Sequence, residues 1–592
     1  MASQKLCVVL INAVVLIVIL LTRSSSALTL AEVMATQEAN VRSLANSTEA
    51  VFAARCTDTN LCQVNTTRCT FATCGGNPTL QASMTCDFTL GSNPSICGEE
   101  CSGLLRSTTT SAVSVAAGAT NNQEASTFIC STASLTSVFA DLYYNQGVTG
   151  WQYVASNTGV TRTFPAAGST DSCTDPPDTR QQSWYVSAST GPKDIVFVTD
   201  FSGSMSTGDG GPNGMTRAAA MKVAVVSLLG SLGPNDRFNI IAFTSSPTTV
   251  GTANTLMAGT PDNILLMQNR FNAWPVGGGT TFGNAMTAAF SLLQSSDATG
   301  CARIIMFLTD GQPSDGNAVI SSIAAGQSTL GSNPARLFTY SLSAKANHAI
   351  LRQIACDNTG IWTLISDASS PTSPLQQYYN FLAAGIVDSS PQWTAPYESS
   401  FGQGEITTVS IPCFDRSVTP KVFVGVAAID TLMTDLLKYG TEAQIEAQIG
   451  LKSGKCLNYD LTPCQMQQLR VSTGYTCPSP APAVSTCAST HITAPSCSTT
   501  IVTNINEVVC TTNTSTSQAE MSCCSPKQCA TATNEITHTR TRPATITIQE
   551  TFSRTHVATD TWTSTMSDEG TKTLTLRPTP SNTFSATTTI SS

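Results

Sequence analysis

Charge is scarce in this chain. Asp, Glu, Lys and Arg make up 11% of its 592 residues, aromatic residues make up 6%, and there are four histidines, His348, His491, His538 and His556. Nucleic-acid binding requires a basic stripe or patch facing the phosphates, and a net charge of −9 without a basic cluster excludes that class. The same balance suits a divalent cation. Histidine-dependent catalysis or zinc binding is poorly supplied, because two of the four imidazoles lie beyond residue 530. No Gly-x-Ser-x-Gly turn presents a nucleophile, and neither Gly208–Gly214 nor Gly277–Gly283 ends in the Gly-Lys-Ser/Thr of a phosphate loop. The expectation is a binding protein and not an enzyme.

Long apolar runs are equally few. One, Leu6–Leu21, follows the basic start Met1–Lys5 and precedes Ser25-Ser26-Ala27, the pattern of a secretory signal peptide over residues 1–27. An uncleaved signal anchor at residues 6–21 is the rival reading. No hydrophobic tail closes the chain, so neither a C-terminal span nor a glycolipid anchor is expected. The expected location is secreted or cell surface. Sequons at Asn46, Asn65 and Asn513 are candidate N-glycosylation sites in that setting.

Cysteine is what the chain has in quantity, 22 in all, with eight between Cys56 and Cys130 and nine between Cys456 and Cys529. In an exported chain close pairs such as Cys97 and Cys101 read as disulfides, with the connectivity open. Between the two clusters stand only Cys173, Cys301, Cys356 and Cys413, so the middle is expected to hold together by packing. There, strand patterns at 194–199, 237–243, 303–309 and 336–342 alternate with helical patterns at 215–232 and 285–293. Such alternation predicts an α/β fold, a parallel sheet with helices on both faces. Upstream, 28–54 reads as a long helix; downstream, 406–412 and 421–429 read as strands and 431–439 as a helix. From Ala530 to Ser592, 28 of 63 residues are Thr or Ser, which predicts a disordered, O-glycosylated stalk.

The residues that carry chemistry lie in the middle. Asp200-Phe-Ser-Gly-Ser204 directly follows the first strand, at the carboxyl end where open parallel sheets bind ligands. Gly277-Gly-Gly-Thr280-Thr-Phe-Gly283 precedes a helix, and Thr309-Asp310 closes another buried strand. In this order the three motifs resemble the metal-ion-dependent adhesion site of von Willebrand factor type A domains, over about residues 191–385. The resemblance implies Ser202, Ser204 and Thr280 as hydroxyl ligands, with Thr281 the alternative to Thr280, and Asp200 and Asp310 acting directly or through water. It also implies Mg²⁺ or Ca²⁺, with Mn²⁺ a further candidate, and a protein or extracellular-matrix ligand that presents a carboxylate to the ion.

On either side, Trp151–Arg162 and Ser183-Trp-Tyr-Val-Ser-Ala188, then Trp393–Tyr397 and Gly425–Asp430, resemble the two parts of an α+β Cache-like sensor domain interrupted by the adhesion domain. The arrangement is similar to the extracellular alpha-2/delta auxiliary subunits of voltage-gated calcium channels. That similarity implies a membrane channel complex as a partner and a pocket lined by Arg180, Trp184, Tyr185, Tyr397 and Asp430. Gln182 stands where the family commonly places an arginine for a ligand carboxylate, and a neutral amide does not replace a bidentate cation. The expected order is signal peptide (1–27), helix, Cys-rich region and first Cache-like part (28–190), Rossmann-like von Willebrand A domain (191–385), second Cache-like part (386–475), Cys-rich segment (476–529) and stalk (530–592). Cation-dependent adhesion is the leading functional expectation. The alternatives are a channel auxiliary subunit and a small-molecule sensor.

Overall fold

A computed structural model describes residues 28–54, 111–116, 123–165, 178–211, 214–311, 313–365, 377–399, 404–478, 486–487 and 490–492, and the backbone alone of 63–68, 104–107, 166–169, 504–513, 520–521, 561–566, 571–577 and 586–591. The expected signal peptide, the side chains of Asn65 and Asn513 and most of both Cys-rich segments lie outside the described residues.

Helix α1 (Leu30–Ala53) opens the fold, started by a capping box in which Thr29 and Glu32 satisfy each other's backbone N–H groups. Strand β1 (Ala112–Val115), helices α2 (Gln123–Thr132) and α3 (Thr136–Tyr144), strands β2 (Gln152–Ser156) and β3 (Val160–Phe164) and helix α4 (Ser183–Thr190) follow. An alternating region comes next: β4 (Lys193–Asp200), α5 (Arg217–Leu229), β5 (Arg237–Phe243), β6 (Met257–Ala258), α6 (Pro261–Asn272), α7 (Phe282–Leu293), β7 (Ala302–Thr309), α8 (Ala318–Leu330), β8 (Arg336–Leu342), α9 (His348–Asp357), β9 (Trp362–Ile365) and α10 (Gln377–Gly385). Strands β10 (Gln392–Trp393), β11 (Glu405–Asp415) and β12 (Val422–Leu432) and helices α11 (Glu442–Ser453) and α12 (Pro463–Ser472) complete it.

The alternating region forms one sheet in the order β6-β5-β4-β7-β8-β9, parallel except for the edge strand β6 and the short strand Pro247–Thr249, both antiparallel to β5. Central strand β4 is buried along its whole length, which is why its sequence is a continuous apolar run and not an alternation. Ile195 and Phe197 pack with Met221 and Val225 of α5, whereas Val196 and Val198 pack with Phe282 and Met286 of α7. Both faces are thereby covered, and the loops at the carboxyl ends of β4 and β7 are left to build a site.

A second sheet is antiparallel along β1-β3-β2-β12-β11-β10 and is extended beyond β1 by strands Asn504–Asn513 and Gln63–Arg68, which pair parallel. Its β2 precedes the parallel sheet in the chain and its β12 follows it, yet they pair directly, with Tyr153 opposite Ala428. Main-chain hydrogen bonds thus join the two flanks, and the whole parallel sheet is an insert between them. One face packs on α1 through Val41 and Leu44, and the other on α4 through Trp184 and Ala188.

Four features differ from expectation. The helix expected at 431–439 is only one turn, Met433–Leu436, because β12 continues its pairing with β11 through Leu432. Helices α2, α3, α4, α6, α8, α10, α11 and α12 have no counterpart among the expected helices. The middle is not held by packing alone, since Cys301 bonds to Cys456 and Cys356 to Cys477, with Cys464–Cys487 a third disulfide. Residues 529–592 form a separate unit. There, strands Thr561–Met566, Thr571–Arg577 and Ala586–Ser591 pair antiparallel where composition predicts a disordered stalk, and the β-branched Thr-x-Thr alternation suits extended backbone. Among the described residues no helix is long and apolar enough to cross a membrane.

Candidate metal centre

Asp200 is the last residue of β4 and Asp310 directly follows β7, so adjacent parallel strands deliver both carboxylates to one edge of the sheet. The loop after β4 turns back at once. Ser202 N–H donates to Asp200 Oδ1 at 2.7 Å, and Ser202 and Ser204 bring their hydroxyl oxygens to 3.1 Å. Ser204 then donates to Asp310 Oδ1 at 2.9 Å, which links the two acidic loops. Thr309 donates its hydroxyl to Asp200 Oδ2 at 2.6 Å.

The third loop is fastened by backbone. Gly277 N–H donates to Phe201 O at 2.7 Å and Gly203 N–H to Gly278 O at 3.0 Å. Gly278 sits at φ +90°, a conformation that favours glycine, which accounts for part of the Gly277–Gly279 run. Asp315 accepts from Phe282 and Gly283 N–H at 3.2 and 2.8 Å, capping α7, and Ser314 N–H donates to Thr280 O at 2.8 Å. Thr280 is thereby brought to the acids: a Cβ built on Gly311 would lie 3.3 Å from Thr280 Cγ2 and 3.6 Å from Asp200 Oδ2. Thr281, the alternative, turns its hydroxyl to Ser314 at 3.3 Å.

Asp200 is fully buried, and burial pushes its carboxyl up to about 6 against the opposing hydrogen bonds from Thr309 and Ser202. Ser204 is exposed and Thr280 half-buried, so the site opens to solvent on the hydroxyl side. Three hydroxyls and two carboxylates form an all-oxygen donor set, which fits a hard cation such as Mg²⁺ or Ca²⁺ and would hold it through Ser202, Ser204, Thr280, Asp200 and Asp310.

Sequence reasoning missed Arg217 and Asp209. Arg217, the first residue of α5, donates from Nη1 to Asp310 Oδ2 at 2.6 Å and forks onto Asp209 at 2.5 and 2.9 Å. The guanidinium holds the Asp209 carboxyl well below the usual carboxylate range, helped by Lys345 at 3.1 Å. These pairs are scattered through the sequence, and no spacing rule signals them.

Five residues, Arg180, Trp184, Tyr185, Tyr397 and Asp430, are expected to line a Cache-like pocket. Trp184 and Tyr185 are buried in the core, Trp184 stacked on Tyr153 at 5.5 Å. Arg180 pairs with Asp178 at 2.7 Å. Asp430 accepts from Tyr153 at 2.6 Å and from Thr408 at 2.7 Å, and Thr408 in turn meets the Tyr397 hydroxyl at 2.6 Å. A cleft of about 330 Å³ runs beside Thr394, Pro396 and Tyr397 against Ser183 and Ile264, and of the five only Tyr397 lines it. Asn46 is exposed on α1.

Residues 195–312 match the family model of the von Willebrand factor type A domain. The chain therefore carries such a domain, and the parallel sheet runs on past the match to β9. The chain is also similar to the human voltage-dependent calcium channel subunit alpha-2/delta-2, 27% identical over 321 residues, covering 52% of this chain and 27% of that protein. It is 32% identical to human inter-alpha-trypsin inhibitor heavy chain H4 over 205 residues, 33% of this chain and 20% of that one. The chain thus spans about a quarter of the length of the curated relatives it matches. Among solved structures, von Willebrand factor type A from Catenulispora acidiphila aligns with a TM-score of 0.28 at 16% identity, covering 40% of this chain and 57% of that one.

Proposed function

We propose that this is an exported recognition protein whose von Willebrand A domain holds a divalent cation and uses it to bind a carboxylate on a protein or matrix ligand. The observation that carries this reading is the convergence of Ser202, Ser204, Thr280, Asp200 and Asp310 at one end of the parallel sheet. When bound, the ion would supply an electrophile, its charge offset less than by an all-carboxylate set because three of the five donors are neutral hydroxyls. The chain's own residues orient and exclude. Asp200 is fixed by Ser202 and Thr309, Asp310 by Ser204 and Arg217, and the exposed Ser204 side is where a partner would approach. Asp200→Ala is expected to abolish Mg²⁺ and Ca²⁺ binding in isothermal titration, and unchanged affinity in that variant would end the reading.

A second reading has its own support. Similarity to a calcium channel subunit covers about half of this chain, more than the adhesion domain alone. On that reading the protein assists a membrane channel. Co-expression with a voltage-dependent calcium channel would raise current density, and no change in current would exclude it.

A further inference from the structure

Arg217 does more at this site than neutralise an acid. Its Nη1 takes Asp310 Oδ2 at 2.6 Å, while the other side of the same guanidinium is locked by the fork onto Asp209. Asp209 is itself tied to Lys345, whose side chain is 77% exposed. Asp310 therefore turns a single oxygen, Oδ1, toward the hydroxyl of Ser204. Asp200 is divided in the same way, with Oδ1 accepting from Ser202 N–H and Oδ2 from the Thr309 hydroxyl. Each of the four carboxylate oxygens thus accepts one hydrogen bond, and at Asp310 it is Oδ2 alone that the guanidinium covers.

That division matters differently to the two candidate ions. Mg²⁺ takes a tight octahedron of single oxygens, whereas Ca²⁺ takes more ligands at longer distance and readily uses both oxygens of a carboxylate. We propose that Arg217 is the positioning residue that sets ion choice here, restricting Asp310 to one oxygen so that Mg²⁺ is preferred over Ca²⁺. The inference rests on the metal-site reading above. A simple charge effect would move both ions together, because removing one positive charge strengthens Coulomb attraction for any divalent cation alike.

The test is isothermal titration of the full chain with MgCl₂ and with CaCl₂, for wild type, Arg217→Ala and Asp209→Asn. The ratio of the Ca²⁺ to the Mg²⁺ dissociation constant is expected to fall in Arg217→Ala, on top of the roughly tenfold or greater loss of affinity typical when an outer-shell partner is removed. Asp209→Asn, which loosens the far end of the clasp, should shift the ratio the same way by less. A purely structural role would weaken both ions equally and leave the ratio unmoved. Wild type binding neither ion overturns the metal-site reading itself; wild type binding both, with the same ratio in both variants, overturns the Arg217 assignment alone. Thermal melting in chelator checks folding, and if Arg217→Ala does not fold, Asp209→Asn decides the question.

Discussion

Asp430 carries a carboxyl pushed up to about 7 by complete burial, against hydrogen bonds from Tyr153 and Thr408 that favour the charged form. Its ordinary value is 3.8, so between roughly pH 4 and 7 the folded state keeps a proton that the unfolded chain has released. Stability from this group is therefore greatest in acid and is lost as pH rises toward 7. Asp430→Asn should flatten that slope, removing a difference on the order of a few kcal/mol between the ends of the window. Urea unfolding of both proteins at pH 4.5 and 7.5 measures it, and parallel slopes would refute the assignment. At this scale the Asp-x-Ser-x-Ser residues were readable, because a local motif fixes their chemistry. Arg217 was not, and of Asp430 only a pocket-lining role was expected, because their partners Asp209, Asp310 and Tyr153 are brought in by other parts of the chain.

Elements were readable where local signals were strong. Strands β5 and β8 run over the expected residues because their apolar runs are bounded by polar turns. Helix α11 was missed although Thr441 and Gln444 form a capping box, a signal the sequence does contain. Helix α8 had no such signal, as its N-cap Asn317 makes no side-chain bond and its interior holds Gly326. That glycine serves packing. A Cβ there would lie 2.2 Å from the Phe290 ring, so the absence of a side chain lets α8 close on α7. Gly326→Ala is expected to destabilise the domain by about 1–3 kcal/mol through overpacking, despite the better helix propensity of alanine. Circular dichroism melting checks this, and an unchanged or raised Tm would contradict it.

For the whole of residues 28–528, the insert is secured twice. Pairing of β2 with β12 joins the flanks, and Cys301–Cys456 and Cys356–Cys477 fasten the turn before β7 and the end of helix α9 to the segment that follows the parallel sheet. The Cys301–Cys456 link closes a separation of 155 residues, and its removal by the double substitution Cys301→Ser, Cys456→Ser should cost about 2–5 kcal/mol in thermal or denaturant unfolding. A loss below about 1 kcal/mol would mean that the strand pairing suffices. The sequence by itself determined the parallel sheet, its central strand and the oxygen-rich loop beyond it, because apolar periodicity and a contiguous motif are local properties of the chain. Tertiary structure alone decided which cysteines bond across the insert, that Asp430 accepts from the hydroxyls of Tyr153 and Thr408, and that Arg217 faces Asp310. Each of these depends on groups distant in sequence being brought within a few ångströms, and no local pattern encodes that distance.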